Sequence, residues 1–303
     1  MPAVNRRTGA TLLEIVAVLG VLGIVGTIVG QTVTRQQRLY RATSESIDVR
    51  ESVRDALSVL AEEIRSASPR DTVRLMSDSA VELFTTLGTS VACGSLNSTD
   101  VGLAPPVSSG VGLTSWQVVP DTGDLAFMYR AAGTAGDWER YRIRAVSSRS
   151  TATACPTATG LASAPGALSS SYVLTLLPSP PAVRAGAPLR FERRGRYSLY
   201  KSSGAKWYLG YRRCNAIGPS VCGAIQPISG YYKSYSSDST KTGLLFRYYD
   251  SSNQQLSVQS DPLLLSRIQI TARALSAVSV TIDGSARTAG DSGSVTAALR
   301  NFP

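Results

Sequence analysis

Histidine is absent from the 303 residues of this chain. Its absence excludes a Ser-His-Asp triad, a Cys-His pair and an imidazole metal ligand, which together account for much of familiar catalysis and metal binding. The sequence also lacks a phosphate-binding glycine loop and a GxGxxG motif placed after a strand. We therefore expect no enzymatic activity, no cofactor and no bound metal.

Acidic residues are in deficit, with 21 Asp and Glu against 31 Lys and Arg, which gives a formal net charge of +10. Arginines cluster beside aromatic residues, an arrangement found on surfaces that bind single-stranded nucleic acid. The alternative, which we prefer, is an ordinary solvated strand face, because net charge reports solubility and non-specific binding. The candidate nucleic-acid residues are Arg193, Arg194, Arg196, Arg212 and Arg213, with Tyr197, Tyr200, Trp207, Tyr208 and Tyr211 close by.

Proline is absent from the one long apolar run of the chain, and charge is nearly absent from it. Residues 12–29 form a stretch of 18 residues in which Glu14 is the only charge. This length suits a transmembrane helix and exceeds the usual apolar core of a secretory signal. A carboxylate inside a span costs about 2–4 kcal/mol on insertion scales, so it needs a partner and usually has a function. The alternative is a plain signal anchor whose glutamate lies near the membrane surface.

Basic residues precede this run at Arg6 and Arg7. Because Lys and Arg flanks stay in the cytoplasm, we expect the N-terminus inside and the rest of the chain outside. Within the predicted span of residues 10–30, small residues recur every three or four positions, a spacing that lets neighbouring helices approach closely. These helix-packing glycines are Gly20, Gly23, Gly26 and Gly30.

Glycine and proline are also missing between residues 31 and 66. Apolar residues there recur at helical spacing, and Ser68-Pro69 supplies a stop. The pattern predicts that an amphipathic helix over residues 31–68 continues the span, giving one helix of about 85 Å. Its apolar stripe should pack on a globular head, with a short coiled coil as the alternative. The stripe consists of Val49, Val53, Leu57, Leu60 and Ile64.

Residues 69–303 are rich in Gly, Ser, Thr and Pro, with short β-type runs between turn signals. Alternation in runs such as 141–145 and 268–272 indicates antiparallel strands with one covered face. Segments 104–114, 147–170 and 284–296 have the composition of surface loops. The predicted fold is therefore α+β: a long N-terminal helix packed on an antiparallel, β-rich extracytoplasmic head.

Four cysteines fall in this head, where disulfides persist. The short loop between Cys214 and Cys222 suits a local link, which leaves Cys93 for Cys155. Three connectivities remain open, because sequence alone does not select one. No CxxC pair is present, which argues against a zinc site.

The residues Gly9, Thr11, Leu12, Leu13 and Glu14, followed by the apolar run, resemble the N-terminus of type IV prepilins, the family of pilins and type II secretion pseudopilins. Ala10 departs from the family pattern, which usually has phenylalanine there. The resemblance implies that residues 1–9 are a leader, removed after Gly9 by a prepilin peptidase that methylates the amine of Ala10. The new amine of Ala10 lies four residues from Glu14, so the two can pair within one helix. Alternatively, Glu14 pairs with the terminal amine of a neighbouring subunit and so sets the stagger between subunits.

Looser patterns at 81–93, 243–250 and 265–271 resemble minor pilins of the PilW type and the J-type pseudopilins. The resemblance implies a structural subunit that initiates, caps or decorates a type IV pilus or a type II secretion pseudopilus. Its partners are then the inner membrane, the prepilin peptidase and other pilins or pseudopilins. The alternative is a pilus-tip subunit for adhesion or for nucleic-acid binding in DNA uptake.

Overall fold

The computed structural model describes residues 12–67, 75–107, 112–132, 135–156, 158–163, 165–282 and 285–299. The helices are α1 (Leu12–Ser66), α2 (Thr151–Ala154), α3 (Thr159–Ala162) and a 3-10 helix, Pro262–Leu264. The strands are β1 (Leu75–Met76), β2 (Ala80–Ser95), β3 (Asp100–Leu103), β4 (Ser115–Trp116), β5 (Leu125–Ala132), β6 (Ala135–Ser150), β7 (Ser170–Leu177), β8 (Pro188–Lys201), β9 (Trp207–Arg213), β10 (Gln226–Tyr232), β11 (Leu244–Tyr249), β12 (Gln255–Leu256), β13 (Arg267–Leu275), β14 (Val280–Ile282), β15 (Ser285–Arg287) and β16 (Gly290–Ala298).

Helix α1 is a single element of 55 residues, or about 80 Å at the usual rise per residue. Every residue from 12 to 41 is exposed, whereas the second half buries an apolar stripe against the head. The stripe predicted from the sequence is confirmed, with Leu57 only partly buried. The fully described helix ends at Ser66, two residues before the predicted bound of 68. The fold class is thus α+β, as the sequence predicts.

The stripe of α1 packs on one face of an antiparallel sheet that contains β9, β10, β11, β13, β16 and the C-terminal half of β8. Strand β13 is central, with β11 on one side and β16 on the other. Its sequence alternates, so that Ile268, Ile270, Ala272 and Ala274 are all completely buried, while the residues between them are partly exposed. This alternation is what an antiparallel strand with one covered face requires.

A second core lies inside a closed barrel at the other end of the head. Strands β2, β3, β7, β6, β5 and β8 pair in that order, and β8 pairs back onto β2, which closes the ring. Side chains fill the interior of so small a barrel. Its core includes Leu103, Met128, Ile143, Leu174, Leu176 and Phe191. Strands β2 and β8 are long enough, at 16 and 14 residues, to belong to both the barrel and the helix-covered sheet.

The prediction of a surface loop over residues 284–296 is wrong over most of its length. Residues 290–298 form β16, which pairs with β13 along nine residues and packs under α1. The segment has few large side chains because the helix approaches the strand closely there. A Cβ on Gly293 would lie 2.8 Å from Leu57 Cδ1 and 3.0 Å from Val53 Cγ1. Segment 147–170 likewise contains the end of β6 and the short helices α2 and α3.

Candidate functional site: the free half of the helix and the outer face of the head

The first half of α1 projects away from the head. An 18-residue window in it has a mean hydropathy of 2.6, and none of that window is buried within the protein. Its large aliphatic side chains are exposed, from Leu12 at 82% to Val25 at 49%. This helix is long and apolar enough to cross a membrane, and a surface of this kind is costly in water.

Glu14 lies in the first turn of α1, beside Leu12 and Leu13. An acidic side chain is favourable there because it faces the positive end of the helix dipole. Gly9, Ala10 and Thr11, at which the sequence predicts processing and assembly, lie outside the described residues.

The four glycines of the free half-helix meet nothing within 4 Å of the position that a Cβ would occupy. They are Gly20, Gly23, Gly26 and Gly30. Within one molecule these positions therefore have no packing reason to be glycine. Small residues at this spacing let a second helix come close, so the stripe is available for a neighbour.

The second half of α1 is fixed to the head by hydrogen bonds as well as by apolar contacts. Ser52 Oγ donates to the carbonyl oxygen of Gly230 at 2.9 Å, and the hydroxyl of Tyr232 donates to the carbonyl oxygen of Ser52 at 2.7 Å. Nearer the C-terminal end of the helix, burial raises the pKa of Glu63, although hydrogen bonds from Tyr197 and Thr85 oppose that rise. The helix and the head are thus joined as one rigid unit over about four turns.

Two of the predicted nucleic-acid arginines, Arg194 and Arg196, form ion pairs with a buried carboxylate. Glu82 on β2 is completely buried, and its Oε1 accepts from Arg194 Nε at 2.6 Å. Its Oε2 accepts from Arg196 Nε at 2.8 Å and from the hydroxyl of Ser220 at 2.7 Å. Burial raises the pKa of Glu82, but the hydrogen bonds from Ser220, Arg196 and Arg194 outweigh it and hold that pKa below its usual value. We call Glu82, Arg194, Arg196 and Ser220 the Glu82 cluster.

The other three arginines of the predicted nucleic-acid set differ in whether they have an acidic partner. Arg193 donates two hydrogen bonds to Asp124, of 2.9 and 2.7 Å. Arg213 forms ion pairs with both Asp124 and Asp121 at 3.0 Å. Arg212, by contrast, has no ion-pair partner among the residues that the structure describes. Four of the five arginines therefore serve internal ion pairs, which favours the structural interpretation for those four.

Both disulfides that the loop lengths favour are present, Cys93–Cys155 and Cys214–Cys222. The second closes the loop that carries Ser220, so it covers the Glu82 cluster. Both of its sulfur atoms lie 3.9 Å from Glu82 Oε2, so Glu82, Cys214 and Cys222 bring three atoms of the kind that bind metal ions close together. In a disulfide, however, neither sulfur is a thiolate, and the carboxylate is already saturated by two guanidinium groups and a hydroxyl. The disulfides indicate an oxidising compartment.

The aromatic residues near the arginines separate onto two faces of the sheet. Tyr197, Trp207 and Tyr211 pack toward the core under α1. Tyr200 and Tyr208 are half-buried and point to the opposite, outer face, where their rings stack at 5.8 Å between centroids. Tyr231, which the sequence analysis did not single out, joins them.

These three outward tyrosines form a continuous row across β8, β9 and β10, which we call the tyrosine row. The rings of Tyr208 and Tyr231 lie 5.1 Å apart. Each of the first two rings covers a glycine on the next strand, since a Cβ on Gly210 would be 2.6 Å from Tyr200 and one on Gly230 would be 2.7 Å from Tyr208. The alternation along β9 was the signal that could have separated the two sets of aromatics.

Comparison of the chain with protein-family models, with curated proteins and with solved structures finds no significant match. The interpretation of the site therefore depends on its own residues. They define a protein whose apolar half-helix stands free of a disulfide-bonded β head.

Proposed function

We propose that this chain is a minor pilin or pseudopilin, a structural subunit of a type IV pilus or a type II secretion pseudopilus. The observation that carries the proposal is the division of α1 into a free apolar half and a half that is bound to the head. A membrane anchor alone needs only about 20 residues, whereas this rigid helix continues for more than 30 beyond that length.

The free half-helix combines three features that an assembling subunit needs. It has an apolar surface for lipid before assembly and for other helices afterwards. It has a glycine stripe with open space above every Cβ position. It also has one carboxylate, Glu14, close to the predicted processing site between Gly9 and Ala10. After cleavage the new amine of Ala10 is a cation, and a staggered neighbour can bring it to Glu14, which offsets the cost of burying both charges.

The breadth of the head supports a place at the end of a filament rather than within its shaft. A barrel is added to the helix-covered sheet, and this bulk is best tolerated where no further subunit must stack. In an initiating or capping role, deletion of the chain lowers the number of filaments. An unchanged filament number would rule out initiation.

The decisive experiment compares the mature N-terminus and the filament content of the wild type with those of two glutamate variants. We expect mass spectrometry to show a chain that begins at methylated Ala10. We expect Glu14→Gln to leave the protein in the membrane fraction and to reduce its recovery in sheared filaments. Glu62→Gln, the same change at an exposed position in the soluble half of α1, should assemble as the wild type does. A mature chain beginning at Met1, or equal assembly of both variants, would contradict the proposal.

A further inference from the structure

A strip of outward side chains runs along β9, on the face of the sheet opposite α1. Its side chains are those of Lys206, just before β9, and of Tyr208 and Arg212 within it, and they alternate with core-facing residues such as the buried Leu209. Gly210, between Tyr208 and Arg212, is buried against the Tyr200 ring. At the usual rise per residue the strip is about 20 Å long. A cation stands at each end of it, and the tyrosine row crosses its middle.

We propose that this outer face binds single-stranded nucleic acid, with bases stacked on the tyrosine row and phosphates held by Lys206 and Arg212. The proposal goes beyond a structural role in a filament, since binding of this kind does not depend on assembly. It also differs from the arginine cluster that the sequence indicates, because Arg193, Arg194, Arg196 and Arg213 are held by carboxylates.

The tyrosine row presents three partly exposed aromatic rings: the planes of Tyr200 and Tyr208 differ by 28°, and the plane of Tyr231 is tilted by 58° from that of Tyr208. Tyr200 and Tyr208 lie against Gly210 and Gly230, and both rings remain partly exposed. The hydrogen bond with Tyr231 raises the pKa of Tyr208. Even an ordinary tyrosine hydroxyl is uncharged at neutral pH, so the row does not repel a phosphate. Stacking of bases on such rings is tolerant of sequence, because every base has a π face.

The charges at the two ends complement a polyanion. Arg212 has no carboxylate partner within the described part of the chain, unlike the other arginines of its cluster. The ammonium of Lys206 lies 5.5 Å from the centre of the Tyr231 ring and donates to the carbonyl oxygen of Ala277, so it keeps two further donors. The whole chain carries a formal charge of +10, which attracts the same ligand over longer distances.

A single strand fits this face better than a duplex does. The rings can stack only with bases whose faces are open, and a duplex keeps those faces stacked within itself. A duplex would therefore meet the two cations alone and lose the contribution of the tyrosines.

The test uses the full chain in neutral detergent micelles and a labelled oligothymidylate of about 12 nucleotides, within the usual range of site sizes. We expect Tyr208→Leu, which still covers Gly230 with an apolar group, to weaken binding by about 5- to 150-fold, the range for loss of one stacked base. Tyr208→Phe should retain binding. The matched control is Tyr40→Leu, at a tyrosine that is 79% exposed on α1.

The cations are tested by salt dependence. A slope of log K against log salt near −1.4 is expected for two phosphate contacts, and Lys206→Gln or Arg212→Gln should each reduce it by about 0.7. Lys241→Gln, which removes a surface lysine paired with Asp238, should leave the slope unchanged. Lys206 is exposed, so its variant tests the site even if a tyrosine variant fails to fold.

Several results would overturn the proposal. They are no retention of the oligonucleotide, equal binding by Lys206→Gln and the wild type, equal binding of a duplex of the same length, or binding of a neutral soluble glucan in place of the oligonucleotide. None of these results depends on filament assembly, so the binding proposal can fail while the assembly proposal stands, and the reverse is equally true.

Discussion

Replacing Glu82 by glutamine should destabilise the head strongly, because the change removes the charge that two arginines share. The carboxylate is completely buried, and the side chain of Arg194 is only 6% exposed. Removing one partner of a buried ion pair costs about 3–5 kcal/mol, mostly because the remaining charge is left buried without compensation. Arg196 is 29% exposed and can turn toward water, so its share is below about 1 kcal/mol.

Glutamine keeps one carbonyl oxygen as an acceptor, so we expect a loss near the low end of that range, about 3 kcal/mol. The assay is urea unfolding of the full chain in detergent micelles, followed by the fluorescence of its three tryptophans. Since the folded-state pKa of Glu82 is lowered, the wild type holds this stability above the unfolded pKa of about 4.3. The difference between wild type and variant should therefore be full at pH 7 and shrink as the pH falls through the lowered value.

The double variant Glu82→Gln/Arg194→Met separates an uncompensated charge from a simple loss of contacts. If the buried guanidinium of Arg194 is the cause, its removal should restore part of the lost stability. A loss of less than about 1 kcal/mol in Glu82→Gln, or a double variant no more stable than the single one, would refute the reasoning.

Two further changes test how α1 is attached to the head. Because burial raises the pKa of Glu63, the folded state prefers the protonated carboxyl, and the free energy of unfolding of the wild type falls as the pH rises above about 4.3. Glu63→Gln removes that fall, so in urea unfolding the stability of the variant should rise relative to the wild type as the pH rises from about 4.3 through the raised folded-state pKa of Glu63. Gly293→Val places a Cβ within 3.0 Å of side-chain methyl groups of both Leu57 and Val53, so these side chains must move to make room, and we expect the free energy of unfolding to fall by about 1–3 kcal/mol. Ser292→Val, on the exposed face of the same strand, should cost little, and a loss equal to that of Gly293→Val would contradict the close approach of helix and strand.

Local periodicity was sufficient to predict α1, because its buried stripe repeats within one continuous element. Val49, Val53, Leu60 and Ile64 recur every three or four residues, and no glycine or proline interrupts them before Ser66. Most strands with large apolar residues were also recognisable. Strand β16 was not, since its glycine, serine and alanine residues give little apolar alternation. The close approach of the helix to Gly293 depends on tertiary packing, which the local sequence does not show.

The arginine cluster shows the same limit in the candidate site. Alternation along β8 places Arg194 and Arg196 on one face of the strand and Arg193 on the other, and this division can be predicted from the sequence. Their acidic partners lie far away along the chain, with Glu82 separated from Arg194 by 112 positions and Asp124 from Arg193 by 69. Whether an arginine is paired or free is decided by strand order, which a single sequence does not show. Arg212 is for that reason distinguishable from its neighbours only in the structure.

The Glu82 cluster also explains how the two cores of the head act together. Glu82 pairs in register with Arg196, at the part of β2 and β8 that belongs to the helix-covered sheet, and the same two strands continue into the barrel. A hinge between the barrel and the sheet would have to bend both strands and break the strand pairing between them. The pairing of β2 with β8 covers eleven residue pairs and shifts register once, between Thr86 and Gly88. The buried ion pairs of the Glu82 cluster stabilise the end of this pairing that lies in the helix-covered sheet. The long pairing of β2 with β8 therefore links the barrel directly to the sheet that α1 covers.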